Sequence, residues 1–383
     1  VSTNSISQGE QVGVLWNLLY NYYKIKIHFA HRTFKWGNEA KANAAVHVVI
    51  IGFSNFDIPE KLIYEYDDIK GEPHELKVKN INPYLVEGKD LVIISKRESI
   101  CNSPNPLYGS KPVDDGNFFF TENEKKDFLQ LEPNAEKYFK PFLSAKEYLN
   151  AENRWCLWLK DISPSDLKSL PRVLQRVEKV KDFRLKSTKQ STRELANYST
   201  LFAEIRQPIN NYILIPLHTS ENRKYIPFGF FTPDSIVGNS CMALQNASLF
   251  HLGVLSSTMH IVWLKTVCGR LESRFRYSND IVYNNFPWPE TPTVKQKENI
   301  EKAARKILDA RAGFPNSSLA DLYDPLTMPP VLVKAHNELD KAVDLAYRPQ
   351  PFINETKRIE FLFELYDKYT AGLFAVEKKK KKR

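Results

Sequence analysis

Cysteine is scarce. Cys101, Cys156, Cys241 and Cys268 lie far apart in 383 residues, and no Cys-x-x-Cys spacing occurs. That pattern excludes a thiolate zinc site and a disulfide framework. Two of the four fall in apolar runs, so the sequence predicts reduced, buried thiols in a cytoplasmic protein. A membrane-spanning run is missing as well. The most apolar stretch, residues 249–264, is interrupted by His251, Ser256, Ser257 and His260, which marks a core helix. There is no signal-peptide pattern. Positive charge is scarcer than its total suggests. The formal net charge is +9, yet Lys378 to Lys382 and Arg383 supply six charges, leaving +3 for residues 1–377. Residues 378–383 therefore read as a basic tail, and any nucleic-acid footprint must come from local clusters.

What is present has the balance of a globular protein, and the length suits two or three domains. The chain opens on Val1-Ser2-Thr3 without an initiator Met, inside what reads as a strand, the pattern of a fragment. Residues 1–56 alternate a strand, an amphipathic helix with Val12, Leu15, Trp16, Leu19 and Tyr23 on one face, and two apolar strands, the closing part of an α/β sheet. From 57 to 290 short strands, polar loops and helices mix, predicting an α+β region. Strands are expected at 61–66, 91–95, 155–160, 212–217 and 240–244, and helices at 122–131, 144–149 and 171–184. Residues 291–377 carry three amphipathic helices punctuated by Gly and Pro, a helical bundle.

Two constellations could carry chemistry. In the first, residues 269–277 alternate: Leu271, Ser273, Phe275 and Tyr277 on one side, Glu272, Arg274 and Arg276 on the other. An Arg fork matches the guanine O6 and N7 acceptors, and a carboxylate accepts from the cytosine amino group. Such a strand can read base pairs; a solvated strand with a cross-strand ion pair is the plainer alternative. The second is a basic run of Arg172, Arg176, Lys179, Lys181, Arg184, Lys186, Lys189 and Arg193, with Ser and Thr interleaved. These are the usual phosphate-contacting side chains, though a solvated helix face has the same composition. His28 and His31 look like half a metal site, but no third ligand is spaced to match.

The segments Asn4-Ser5-Ile6, His28-Phe29-Ala30-His31-Arg32-Thr33-Phe34-Lys35-Trp36, Arg154-Trp155-Cys156-Leu157-Trp158-Leu159 and Tyr283-Asn284-Asn285-Phe286-Pro287-Trp288-Pro289 resemble the MmeI-like (Type IIL) restriction–modification family. Its members join an endonuclease, an adenine-N6 DNA methyltransferase and a target-recognition region in one chain. The resemblance implies an α/β remnant of a methyltransferase sheet, an α+β target-recognition domain and a C-terminal helical bundle, with double-stranded DNA as partner. It implies nuclease and methyltransferase portions in the same protein, and S-adenosylmethionine as the parent's cofactor. By the same resemblance Glu272, Arg274 and Arg276 would read bases, with Ser240 as a weaker partner, and Phe34 would stack on a flipped base. Asn82-Pro83-Tyr84 mimics the family's amine-binding Asn-Pro-Pro-Tyr but lacks the second proline, and no Gly-rich loop follows a strand. Asp67 with Glu75 and Lys77 mimics a nuclease core without a supporting strand. The expectation is therefore no catalytic residue, metal or cofactor in this segment. The alternative is a stand-alone phage-defence adenine methyltransferase without a nuclease.

Overall fold

The computed structural model describes residues 1–36, 46–66, 68, 70–271 and 274–380, with side chains described through 371. Its first sheet has five strands in the order Ser2–Thr3, Val46–Ser54, Lys26–Trp36, Lys61–Glu65, His74–Val78. Only the Lys26–Trp36 and Lys61–Glu65 pair is parallel. The sheet thus runs past residue 56, to Val78. The His74–Val78 strand escapes the sequence pattern because it is an edge strand of mostly exposed, charged residues. The Gly9–Asn21 helix buries Val12 and Trp16, one turn apart, and the Trp16 indole N–H donates to the Ile6 carbonyl at 2.7 Å. On its other side Val14, Leu18 and Tyr22 form an exposed apolar stripe.

Three further sheets follow. One orders Gly229–Phe231, Tyr212–Pro216, Cys241–Gln245 and Pro106–Tyr108, all antiparallel. Another orders Ile236–Val237, Phe139–Leu143, Arg154–Leu157 and Phe119–Thr121. The smallest holds His218–Thr219, Arg274–Arg276 and Gly269–Leu271. The Glu122–Leu131 helix opens on a Thr121–Glu124 capping box, as its sequence signals. The predicted strand at 91–95 is irregular instead. Its polar backbone groups go to side chains: Ile93 N–H to the Tyr84 hydroxyl, and Ile94 O to the Asn285 amide.

The apolar run at 249–264 forms two helices, Leu249–Ser256 and Thr258–Val267, broken at an extended Ser257. The break has a partner. Asp340, from the C-terminal region, accepts from both the Thr258 amide and hydroxyl at 2.7 Å and caps the second helix. The helices Val294–Ala312 and Pro330–Tyr347 and the helix Glu355–Lys380, which carries on into the basic run, close the same core. Trp263 meets Phe363 and Tyr366 there, each at 5.8 Å between centroids. At the centre the buried Asn285 amide donates to the carbonyls of Ile94, Asp280 and Ile281 and accepts from the Tyr366 hydroxyl. Tyr283, Phe286 and Trp288 are buried around it. The Tyr-Asn-Asn-Phe-Pro-Trp-Pro block is a structural seam, stitching the 91–104 loop to the terminal helices.

Candidate nucleic-acid interface

The stretch 269–277 is not one strand. Gly269–Leu271 and Arg274–Arg276 pair antiparallel, with Gly269 opposite Arg276, Arg270 opposite Phe275 and Leu271 opposite Arg274. Alternation alone cannot separate one strand from a tight hairpin, because both keep period two along each arm. Glu272 lies outside the described residues. The two sides of the hairpin differ sharply. Phe275 is buried, and the Arg270 guanidinium lies 4.3 Å from its ring centroid. Arg274 and Arg276 are exposed on the opposite side. His218, the register partner of Arg276, joins them from 58 positions upstream. Burial, then the charges of Arg274 and Arg276, hold the His218 imidazole below its ordinary pKa. Sequence reading missed His218 because only strand pairing brings it here.

The underside is pinned. Tyr277 N–H donates to Leu217 O at 2.8 Å, and its buried hydroxyl meets His260 Nε2 at 2.9 Å. Ser240 accepts from Leu217 N–H at 3.0 Å through its backbone carbonyl. Its hydroxyl accepts from the Ala145 amide at 2.9 Å and so begins the Ala145–Asn150 helix. That is a capping contact.

The hairpin abuts the first sheet's helix. Gly9 has φ +57°, and a Cβ there would stand 3.0 Å from Gly269 Cα, so glycine at position 9 permits a backbone-to-backbone approach. A polar groove of about 600 Å³ runs along this junction past Gln8, Tyr108, Arg270, Arg276 and Asp280. Gln8 and Arg270 also line a second cleft of about 240 Å³, which leads to Arg32, Thr33 and Tyr66. Phe34 lies just beyond, half-buried, stacked on Tyr66 at 5.1 Å with 19° between planes. His31 packs flat on Tyr64 and meets the Tyr66 hydroxyl at 2.8 Å; burial lowers its pKa. His28 meets Ser54 and the Phe56 carbonyl. Among the described residues no group of three metal-ligating side chains occurs.

The basic run divides. Arg184 is 0% exposed, and all five of its N–H groups donate to carbonyls, those of Pro112, Val113, Leu195, Tyr198 and Leu201, at 2.8–3.0 Å. It cannot touch a phosphate: it lies at the fourth buried position of the Pro171–Leu185 helix, with Val173, Val177 and Val180. Arg176 is half-buried over Phe120 and donates to Asn117 O. Arg193 is exposed and donates to the Ser187 and Thr188 carbonyls, closing its own turn. Arg172, Lys179, Lys181, Lys186 and Lys189 remain exposed. The helix N-terminus is taken, since Glu132 accepts from the Arg172 and Val173 amides at 3.0 Å.

Asn82 is buried and its side chain accepts from the Tyr84 amide, while the Tyr84 hydroxyl is held by Ile93 N–H. Asn82 is fully buried, and Tyr84 reaches the surface only at the edge of the 240 Å³ cleft. Asp67 lies outside the described residues; Glu75 and Lys77 stand on the edge strand, where Lys77 pairs with Glu60.

Sequence comparison matches three family models along the chain. They are the MmeI DNA-methyltransferase domain over residues 1–65, the MmeI target recognition domain over 87–290 and the MmeI C-terminal domain over 293–374. DNA methyltransferase A of Bacillus subtilis (strain 168) is 40% identical over 370 residues, 97% of this chain and 41% of that protein. A solved structure of the Type IIL restriction-modification enzyme MmeI in complex with DNA aligns with a TM-score of 0.89 and 51% identity. The alignment covers 97% of this chain and 49% of that one. This chain spans half or less of the length of these relatives.

Proposed function

Because this chain belongs to the MmeI family of restriction–modification proteins, we propose that it binds double-stranded DNA and reads the target sequence for an adenine-N6 methyltransferase. The parent protein uses S-adenosylmethionine and carries a nuclease in the same chain. The observation that carries the reading is the hairpin. Two guanidiniums, Arg274 and Arg276, stand exposed on a strand whose other side is buried, inside the stretch that matches a target recognition domain. Guanidiniums on a rigid strand are suited to bidentate contact with guanine. Phe34 would hold the extruded adenine across the junction groove, and Tyr66 already covers one of its faces, so a base stacks on the other. Exposed Lys179 and Lys186 would meet phosphates. A second reading, a DNA methyltransferase without a nuclease, draws on the name of the Bacillus subtilis relative; an assay of the whole gene product for cleavage separates the two.

The test uses the full-length protein and methylation of a library randomised at each position. Arg274→Ala and Arg276→Ala should each relax preference at one position by about 1–3 kcal/mol and leave the others unchanged. Uniform loss at every position would assign these side chains to the backbone, and no change would reduce them to a solvated strand. Glu272 enters the same assay through Glu272→Lys, alone and with Arg274→Asp. The hairpin register puts Leu271, not Glu272, opposite Arg274.

A further inference from the structure

The 240 Å³ cleft between Phe34 and the hairpin has the chemistry of an anion site. Three cationic side chains reach it from three elements: Arg32 from the Lys26–Trp36 strand, Lys265 from the last turn of the Thr258–Val267 helix, and Arg270 from the hairpin. One carboxylate lines it, Glu65, and that group is ion-paired with Arg32. No carboxylate among the described residues is within ion-pair distance of Lys265. The neutral lining sorts by what it can donate. Ser7 and Thr266 give their hydroxyl protons to the Asn4 and Val262 carbonyls, whereas Gln8 brings an amide to the cleft. A cation–π contact with Phe275, 4.3 Å to the ring centroid, helps place the Arg270 guanidinium.

We propose that Lys265, with Arg270, Arg32 and Gln8, binds one phosphodiester group of the DNA, the one lying between the base pairs read by the hairpin and the nucleotide held at Phe34. The placement follows from the lining: Tyr66, stacked on Phe34, closes one end of the cleft, and Arg270 opens the other onto the groove that holds Arg276. A strand passing from the duplex to an extruded base must carry a phosphate across this gap. Cations there would hold that phosphate while its nucleotide is out of the stack. The site is made by both regions at once and exists only where they meet. The proposal rests on the DNA-binding reading above.

The experiment measures affinity against salt for this chain on a duplex containing one abasic nucleotide. Wild type, Lys265→Ala and Lys265→Arg are compared, each first checked by thermal melting. Lys265→Ala should lower the salt slope by about one phosphate contact, and Lys265→Arg should restore it. A neutral methylphosphonate placed at each position near the abasic site should erase the difference between wild type and Lys265→Ala at one position only. If wild type binds with a salt-dependent affinity but Lys265→Ala keeps the full slope, the cleft is not a phosphate site and the wider reading stands. If wild type shows no salt-dependent binding, both readings fail together. A lowered melting temperature in both variants would make Lys265 structural and overturn the proposal.

Discussion

A single arginine shows how little charge alone says about function. Arg184 reads as one member of a cationic series, yet its guanidinium is enclosed and ties five carbonyls from two segments, 112–113 and 195–201. Lysine has three donors and no plane, so Arg184→Lys leaves at least two carbonyls without a partner. Arg184→Ala should destabilise the protein by roughly 3–5 kcal/mol, because it opens a cavity and strands buried acceptors. The urea midpoint of the variant measures this. A loss under about 1 kcal/mol joined to weaker DNA binding would return Arg184 to the phosphate contacts. Exposure makes the opposite case for Arg274 and Arg276, whose removal should cost the fold little.

Among the elements, the Pro171–Leu185 helix gives the clearest division of labour. Val173, Val177, Val180 and Arg184 follow the helical repeat inward, and Arg172, Lys179 and Lys186, seven apart, form an outer stripe. Lys179→Ala with Lys186→Ala should weaken binding to every duplex alike and flatten the salt slope by roughly one unit per lost contact. A change in preference among sequences would instead make this helix a reader of bases. The same helix marks where sequence stops informing. Its limits were legible from Pro171 and the apolar spacing, but which cations turned inward was not. Periodicity does not say what lies beneath a helix. The hairpin followed the same rule: its residue types were legible, its division into two paired strands and the arrival of His218 were not, because cross-strand pairing leaves no local pattern. The break at Ser257 depends on Asp340, 83 residues later, and was equally hidden.

For the molecule as a whole, three histidines sit neutral in or beside the shared core. Burial brings His260 down to about 3 and His251 to about 4, and it depresses His336 well below its usual value. Each binds its proton more readily unfolded, near 6.5, than folded. Their contribution is therefore complete above pH 6.5 and is lost as pH falls below it, at up to about 1.4 kcal/mol per pH unit for each histidine. Unfolding free energy measured between pH 7 and pH 4 should fall accordingly, and His260→Gln should make that dependence shallower. An unchanged slope would mean that the imidazole is already charged in the folded protein. The core these histidines share also sets an order of events during synthesis. Trp263 is covered by Phe363 and Tyr366, and a Cβ on Gly253 would strike Ile300. The apolar helices at 249–267 thus leave the ribosome before the helices that cover them have been made. At about 5–20 residues per second the wait for those last hundred residues is roughly 5–20 s. Through that interval the nascent chain carries a bare apolar face, so its yield should depend on chaperones that bind such faces and on the pace of translation past residue 290.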